Sequence, residues 1–160
     1  MDTTIRSKGT TTTDAIKLLK EQHDEVKTMF KKFEELGDRA YTSKKKLADQ
    51  ICAALTKHAL IEEEIFYPAV RAEVEEGDEQ VDEAVVEHDS AKELIAQIQE
   101  MSANEELFDA KVKVLGEQVE HHIKEEETEM FRDAKKAKLD LVQLGQQMET
   151  RWQELSAQGI

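Results

Sequence analysis

At 160 residues the chain can bury one sizeable core and is too short for two ordinary domains. It has one proline and six glycines among abundant Glu, Lys, Ala, Leu and Gln, so helix breakers are scarce among good helix formers. An all-α protein follows, with a bundle as the default for long helices and short connections. The net charge of −14, from 22 basic and 36 acidic residues, repels phosphate backbones and anionic membranes and argues against a nucleic-acid partner.

Residues 1–10 are polar, rich in Thr and Ser, and are expected to be a disordered tail without the apolar core of a secretory signal. A bundle is expected over residues 11–136 and a further helix over 137–160. Thr11 and Asp14 have capping-box spacing, and a first helix should run to about Leu36, where Gly37-Asp38 ends it. Its apolar row is Ile16, Leu19, Val26, Phe30 and Phe33, with His23 inside the row. Ser43 can cap a second helix over about 44–76, with Ile51, Leu55, His58, Glu62 and Ile65 as one stripe. Pro68 removes a donor to the carbonyl of Glu64, so a kink is expected there, and Gly77 closes the helix. Cys52, the single cysteine, cannot form an internal disulfide and reads as a small buried apolar residue.

Asp78 can start a third helix to about Met101, with Val81, Val85, His88, Ile95 and Ile98 on one face. Ser102 and Glu105 again have capping-box spacing, and a fourth helix is expected over about 103–136. Its row is Leu115, Val119, His122, Glu126 and Met130. Asp140 with Gln143 marks a short fifth start, followed by Leu141, Leu144, Met148, Trp152 and Leu155. No segment approaches the roughly 20 apolar residues of a membrane span, so no membrane partner is expected and the cytoplasm is the default compartment.

Four histidines, His23, His58, His88 and His122, fall one on each of the four main helices, inside apolar stripes. Two carry a glutamate one helical turn later, His58 with Glu62 and His122 with Glu126, which aims imidazole and carboxylate the same way. The halves of the chain echo each other. HALIEEEIFYPAV at 58–70 resembles HIKEEETEMFRDA at 122–134, and EQHDEVK at 21–27 corresponds to VEHDSAK at 86–92. Two matching hairpins would therefore bring two metal ions near a pseudo-twofold axis. His23 and His58 would hold one, His88 and His122 the other, and Glu62 and Glu126 would bridge them. Mixed imidazole and carboxylate ligands suit iron, manganese or zinc. Glu63, Glu64, Glu125 and Glu127 read mostly as solvated, with one available to orient an imidazole. Tyr67 reads as packing, because its helical angle turns away from Glu62, and Asp24 and Asp89 read as helix surface.

On EQH at 21–23, HALIEEEIFYP at 58–68, EHD at 87–89 and HHIKEEETEMF at 121–131, the chain resembles the hemerythrin-like (HHE) cation-binding family over roughly residues 14–135. The resemblance implies an up-down four-helix bundle, here with a short extra C-terminal helix. It also implies two non-haem iron ions, oxo- or carboxylate-bridged, with zinc or manganese as alternatives. Family activities include oxygen binding, oxygen, redox or iron sensing, nitric oxide or peroxide handling, and repair of iron–sulfur centres. Two positions depart from the oxygen carriers. Lys92 stands where their third helix carries a fifth histidine, and His122 is followed by Glu126 or Glu127 instead of an aspartate five residues on. The fifth ligand is open among water, a further carboxylate and His121, and a register pairing His121 with Glu125 is the alternative.

The function expected on this basis is binding or sensing of a small diatomic molecule (O2, NO) or peroxide, in a monomer or homodimer. The alternatives are a di-iron enzyme handling peroxide or nitric oxide, and an iron storage or delivery protein. Whether the chain is an enzyme stays open.

Overall fold

The computed structural model describes residues 14–160; the expected tail and Thr11 lie outside them. Every regular element among the described residues is helical. Helix α1 (Ala15–Glu35) starts where Asp14 accepts a hydrogen bond from the Lys17 N–H at 2.8 Å, which satisfies one of the orphan donors of the first turn. Helix α2 (Tyr41–Ile61) runs without interruption through a π-helical segment (Glu62–Phe66) into α3 (Tyr67–Glu73). Helix α4 spans Gly77–Glu100. Helix α5 (Phe108–Glu125) continues through a second π-helical segment (Glu126–Met130) into α6 (Phe131–Lys136). Helix α7 (Leu141–Ala157) follows, capped by Asp140, which accepts from the Gln143 N–H.

In order round the bundle, α1 packs on α2, α2 on α4, α4 on α5, and α5 back on α1, giving the up-down four-helix bundle. Helix α7 lies against α1 and α2 and buries Met148 and Leu155 in the same core as Leu19, Phe66 and Phe131. The apolar interior has two parts. One, around Phe66, Tyr67, Val70, Phe131 and Met148, fills the end that α7 covers. The other, around Phe33, Ile51, Cys52, Ile95, Phe108 and Leu115, fills the opposite end. Cys52 belongs to the second part, and burial pushes its thiol up to about 12, so it stays protonated and acts as packing. No described helix is long and apolar enough to cross a membrane.

Three expected boundaries move. Helix α2 begins at Tyr41 behind Ala40, which has no side-chain cap, so Ser43 lies exposed inside the helix. Gly77 opens α4 instead of closing its predecessor. A Cβ on Gly77 would stand 2.2 Å from the Val70 carbonyl oxygen, so the turn Val74–Glu76 can bring the two helices this close only at a glycine. Between Ser102 and Leu107 the chain makes turns. The Ser102 N–H donates to Glu105 Oε2 at 2.7 Å, but this half of a capping box closes a turn, and α5 starts five residues later than expected.

The irregularity expected at Pro68 falls one turn earlier and has another cause. The Tyr67 N–H donates to the carbonyl of Glu62, and the Phe131 N–H donates to that of Glu126, each across five residues. The second wide turn has Arg132 where the first has Pro68, so proline is not its source. Both turns begin at a glutamate of the His-x-x-x-Glu pairs.

Candidate metal centre

Between the two apolar halves lies a buried polar layer: His23 from α1, His58 and Glu62 from the α2 rod, His88 from α4, and His122 and Glu126 from the α5 rod. Each of the four imidazoles is held on its outer nitrogen. His23 Nδ1–H donates to Glu127 Oε2 at 2.7 Å, and His88 Nδ1–H to Glu63 Oε2 at 2.7 Å. His122 Nδ1–H donates to Glu87 Oε1 at 2.6 Å, and His58 Nδ1–H to the Gln22 amide oxygen at 2.7 Å. A carboxylate or an amide oxygen can only accept, so these bonds put the proton on Nδ1 and aim Nε2 inward.

The inner nitrogens meet the two carboxylates. Glu62 lies 3.1 Å from His58 Nε2 and 3.1 Å from His88 Nε2 through different oxygens. Glu126 lies 3.2 Å from His23 Nε2 and 3.4 Å from His122 Nε2, again through different oxygens. Two ligand atoms set at right angles, each at the roughly 2.1 Å typical of a metal bond, are about 3 Å apart, so these separations match edges of a coordination shell. His23, His58, Glu62 and Glu126 offer atoms within 4.8 Å of one another, as do Glu62, His88 and His122.

His23 Nε2, His58 Nε2, Glu62 Oε2 and Glu126 Oε1 are buried without a hydrogen bond of good geometry, although they stand at ion-pair distance. Orphaned polar atoms of this kind are costly unless something satisfies them. Four of them converging on one point fit a cation.

The electrostatics agree. Burial would raise the Glu126 carboxyl, but the charge of His122 and hydrogen bonds from His122 and His23 outweigh it and hold it well below the usual carboxylate range. Burial and the charge of Glu126 push Glu62 up, and His58 and His88 bring it down, to a net lowering. Burial opposes charge on His88, but hydrogen bonds to Glu62 and Glu63 prevail and raise it to about 9. His23 and His122 are raised by the same balance. Without a metal the layer therefore holds protons where a cation would sit.

Tyr67 belongs to this layer and not to packing alone. Its hydroxyl donates to Glu126 Oε2 at 2.6 Å and lies 3.0 Å from Glu62 Oε1, with His88 Nε2 at 3.3 Å. Burial and the two carboxylate charges raise it well above the usual phenol value, so it keeps its proton. In an α-helix five residues turn through about 140° past a full turn, which sends Tyr67 away from Glu62. The wide turn reduces that offset enough for the hydroxyl to reach Glu62. Phe131 takes the matching place in the other half, stacked on His23 with ring centroids 5.9 Å apart.

The remaining sequence candidates sit outside the layer. His121 is exposed and pairs with Glu125 at 3.2 Å, so the alternative register points to solvent. Lys92 turns to Glu63 Oε1 at 3.1 Å, which shares its carboxylate between Lys92 and His88. Glu64 pairs with Arg151 of α7 at 2.8 Å, and Asp24 and Asp89 are exposed.

Residues 14–134 match the hemerythrin HHE cation binding domain. The chain belongs to this family. The crystal structure of an HHE cation binding domain-containing protein from Mycobacterium kansasii shares the fold, with a TM-score of 0.78 over 91% of this chain and 89% of that one at 23% identity. A DNA nickase of Nostoc sp. is 32% identical over 114 residues, which cover 71% of this chain and 31% of the relative. The chain thus spans about a third of that protein's length.

Proposed function

We propose that this hemerythrin-like protein holds two non-haem iron ions between its helices and binds or senses O2, NO or peroxide there. The observation that carries the proposal is the inward convergence of four Nε2 atoms on two buried carboxylates, with every Nδ1 held from outside. His23 and His58 would serve one ion and His88 and His122 the other, with Glu62 and Glu126 spanning both. The imidazole and carboxylate set suits iron over softer metals. Bound there, iron would supply redox chemistry and open positions for a small ligand.

The chain's own residues would do the rest. Glu63, Glu87, Glu127 and Gln22 fix each imidazole's tautomer and direction. Tyr67 keeps a proton at its hydroxyl, against both carboxylates, as a hydrogen-bond donor beside the proposed metal positions. The apolar residues on both sides close the two ends of the layer. The nicking of DNA by the Nostoc relative is not carried over, because a surface of net charge −14 opposes a phosphate backbone.

The test is metal content with an optical spectrum, on protein loaded anaerobically with ferrous iron and then exposed to air. About two irons per chain with near-ultraviolet charge-transfer bands is the expected result. No bound iron, or a single colourless zinc, would overturn the redox reading.

A further inference from the structure

The imidazole layer opens on one side into a cavity of about 290 Å³, bounded by α1, α2, α4 and α5. Its walls are mainly apolar, from Val26, Leu55, Ala59, Ala91, Ile95 and Val119. The polar residues that reach it are largely committed elsewhere. The Thr56 hydroxyl donates to the Cys52 carbonyl, and the Gln22 amide oxygen accepts from His58. Ser90 and Lys92 are exposed at its margin, so it communicates with the surface.

Protein interiors seldom keep voids larger than a water molecule. A diatomic gas or hydrogen peroxide needs about the space of one water, on the order of 30 Å³. This cavity exceeds that several-fold, and small residues at 59 and 91 leave the space unfilled. Ordered water needs two to four polar partners, and walls of this kind supply few. An apolar cavity of about 150 Å³ stays dry and takes up benzene. By the same scaling, this one has room for about ten non-hydrogen atoms. Its inner end is the imidazole layer, where His23, His58, His88 and His122 all contribute to the lining, with Glu87, Gln118 and His121 beside them.

We infer that the cavity is a binding site for a compact apolar organic molecule whose one oxygen function, an alcohol or hydroperoxide, faces the imidazole layer. This deepens the metal reading, since it names the class of ligand that would reach that centre, but the cavity itself is built by residues that need no metal.

The test uses the full chain in metal-free form, with cumyl alcohol as the probe and glycerol and triphenylmethanol as the polar and oversized controls. Methyl resonances of Val26, Leu55, Ile95 and Val119 should shift saturably with cumyl alcohol at one site per chain, and with neither control. Ala91→Phe, which fills the cavity, should weaken binding at least tenfold. No saturable shift in the natural chain overturns the inference whether or not the variant folds, and so does equal binding by a folded Ala91→Phe protein. Iron content measured on the same preparation separates the two claims. Probe binding without iron uptake sinks only the metal reading, and iron uptake without probe binding sinks only this one.

Discussion

Replacing Tyr67 with Phe removes one oxygen atom from the centre of the polar layer and little else. The ring is buried against Phe66 and His88 and stays in place; Phe131 at the matching position of the other half shows that a phenyl ring fits such a site. What is lost is a 2.6 Å hydrogen bond to Glu126 and a 3.0 Å contact to Glu62, both buried carboxylates. A hydrogen bond to a charged group contributes about 1.5–3 kcal/mol, and stranding a buried charged acceptor costs at least as much. Metal-free Tyr67→Phe should therefore unfold in urea with a stability lower by about 2–3 kcal/mol and an unchanged slope. At roughly 2–4 °C per kcal/mol for a chain of this size, the midpoint should fall by about 5–10 °C. With metal bound, the carboxylate oxygens have a cation for a partner, and the penalty should shrink to less than about 1 kcal/mol. A metal-free variant as stable as the natural chain would refute the role of the hydroxyl. The same penalty with and without metal would refute Glu62 and Glu126 as ligands.

Three further outcomes are expected. His58→Ala or Glu62→Ala should sharply reduce bound metal in a metal assay, while Glu64→Ala, whose carboxylate pairs with Arg151 at the surface, should leave it unchanged. Equal metal retention in all three would sink the ligand assignment. The metal-free protein should lose stability as pH rises, because His88 titrates at about 9 when folded and near 6.5 when unfolded. The imidazolium's contribution is complete below about pH 6.5 and is lost through about pH 9, whereas metal binding, which competes with those protons, should strengthen over the same interval. Thermal midpoints of both forms across that window check it, and parallel curves would count against the exchange of protons for metal. Gly77→Ala should cost about 1–3 kcal/mol, read as a shift of the urea midpoint with metal stoichiometry retained, since the new methyl meets the Val70 carbonyl at 2.2 Å. A neutral result would mean that the Val74–Glu76 turn relaxes freely.

The all-α class, the bundle and the six converging residues were legible because helical periodicity survives along most of each helix. His23, His58, His88 and His122 fall in apolar stripes, and a stripe faces the interior whatever the neighbours are. Two kinds of information were not legible. The first is phase: the wide turns at Glu62 and Glu126 have no composition of their own, so an α-helical angle misplaced Tyr67. The repeat offered a clue, since the aromatic positions 67 and 131 are equivalent and both sit five residues past the paired glutamate. The second is pairing between helices. Glu63 reaches His88, Glu127 reaches His23, Gln22 reaches His58 and Glu87 reaches His122, and each pair joins two different helices. Periodicity along one helix says nothing of such pairs. Their signal was positional: each sits one residue before a histidine or one after a paired glutamate.

The places where the two halves differ bear on chemistry more than the places where they agree. Gln22 and Glu87 occupy equivalent positions, but one hands its histidine an amide oxygen and the other a carboxylate. A carboxylate partner makes an imidazole a stronger donor than a neutral one does. His88 and His122 are both backed by carboxylates, Glu63 and Glu87, whereas only His23 of the other pair is, through Glu127. Tyr67 adds to the imbalance, because its hydroxyl stands by His88 and His122 at 3.3 and 3.4 Å while Phe131 gives the His23 side an apolar face. The two ends of the layer are therefore unequal in charge and in proton supply, within a frame that the repeat makes nearly symmetric. A pair of like cations bound there would differ in affinity and potential because of four residues, Gln22, Glu87, Tyr67 and Phe131, none of which belongs to the proposed ligand set.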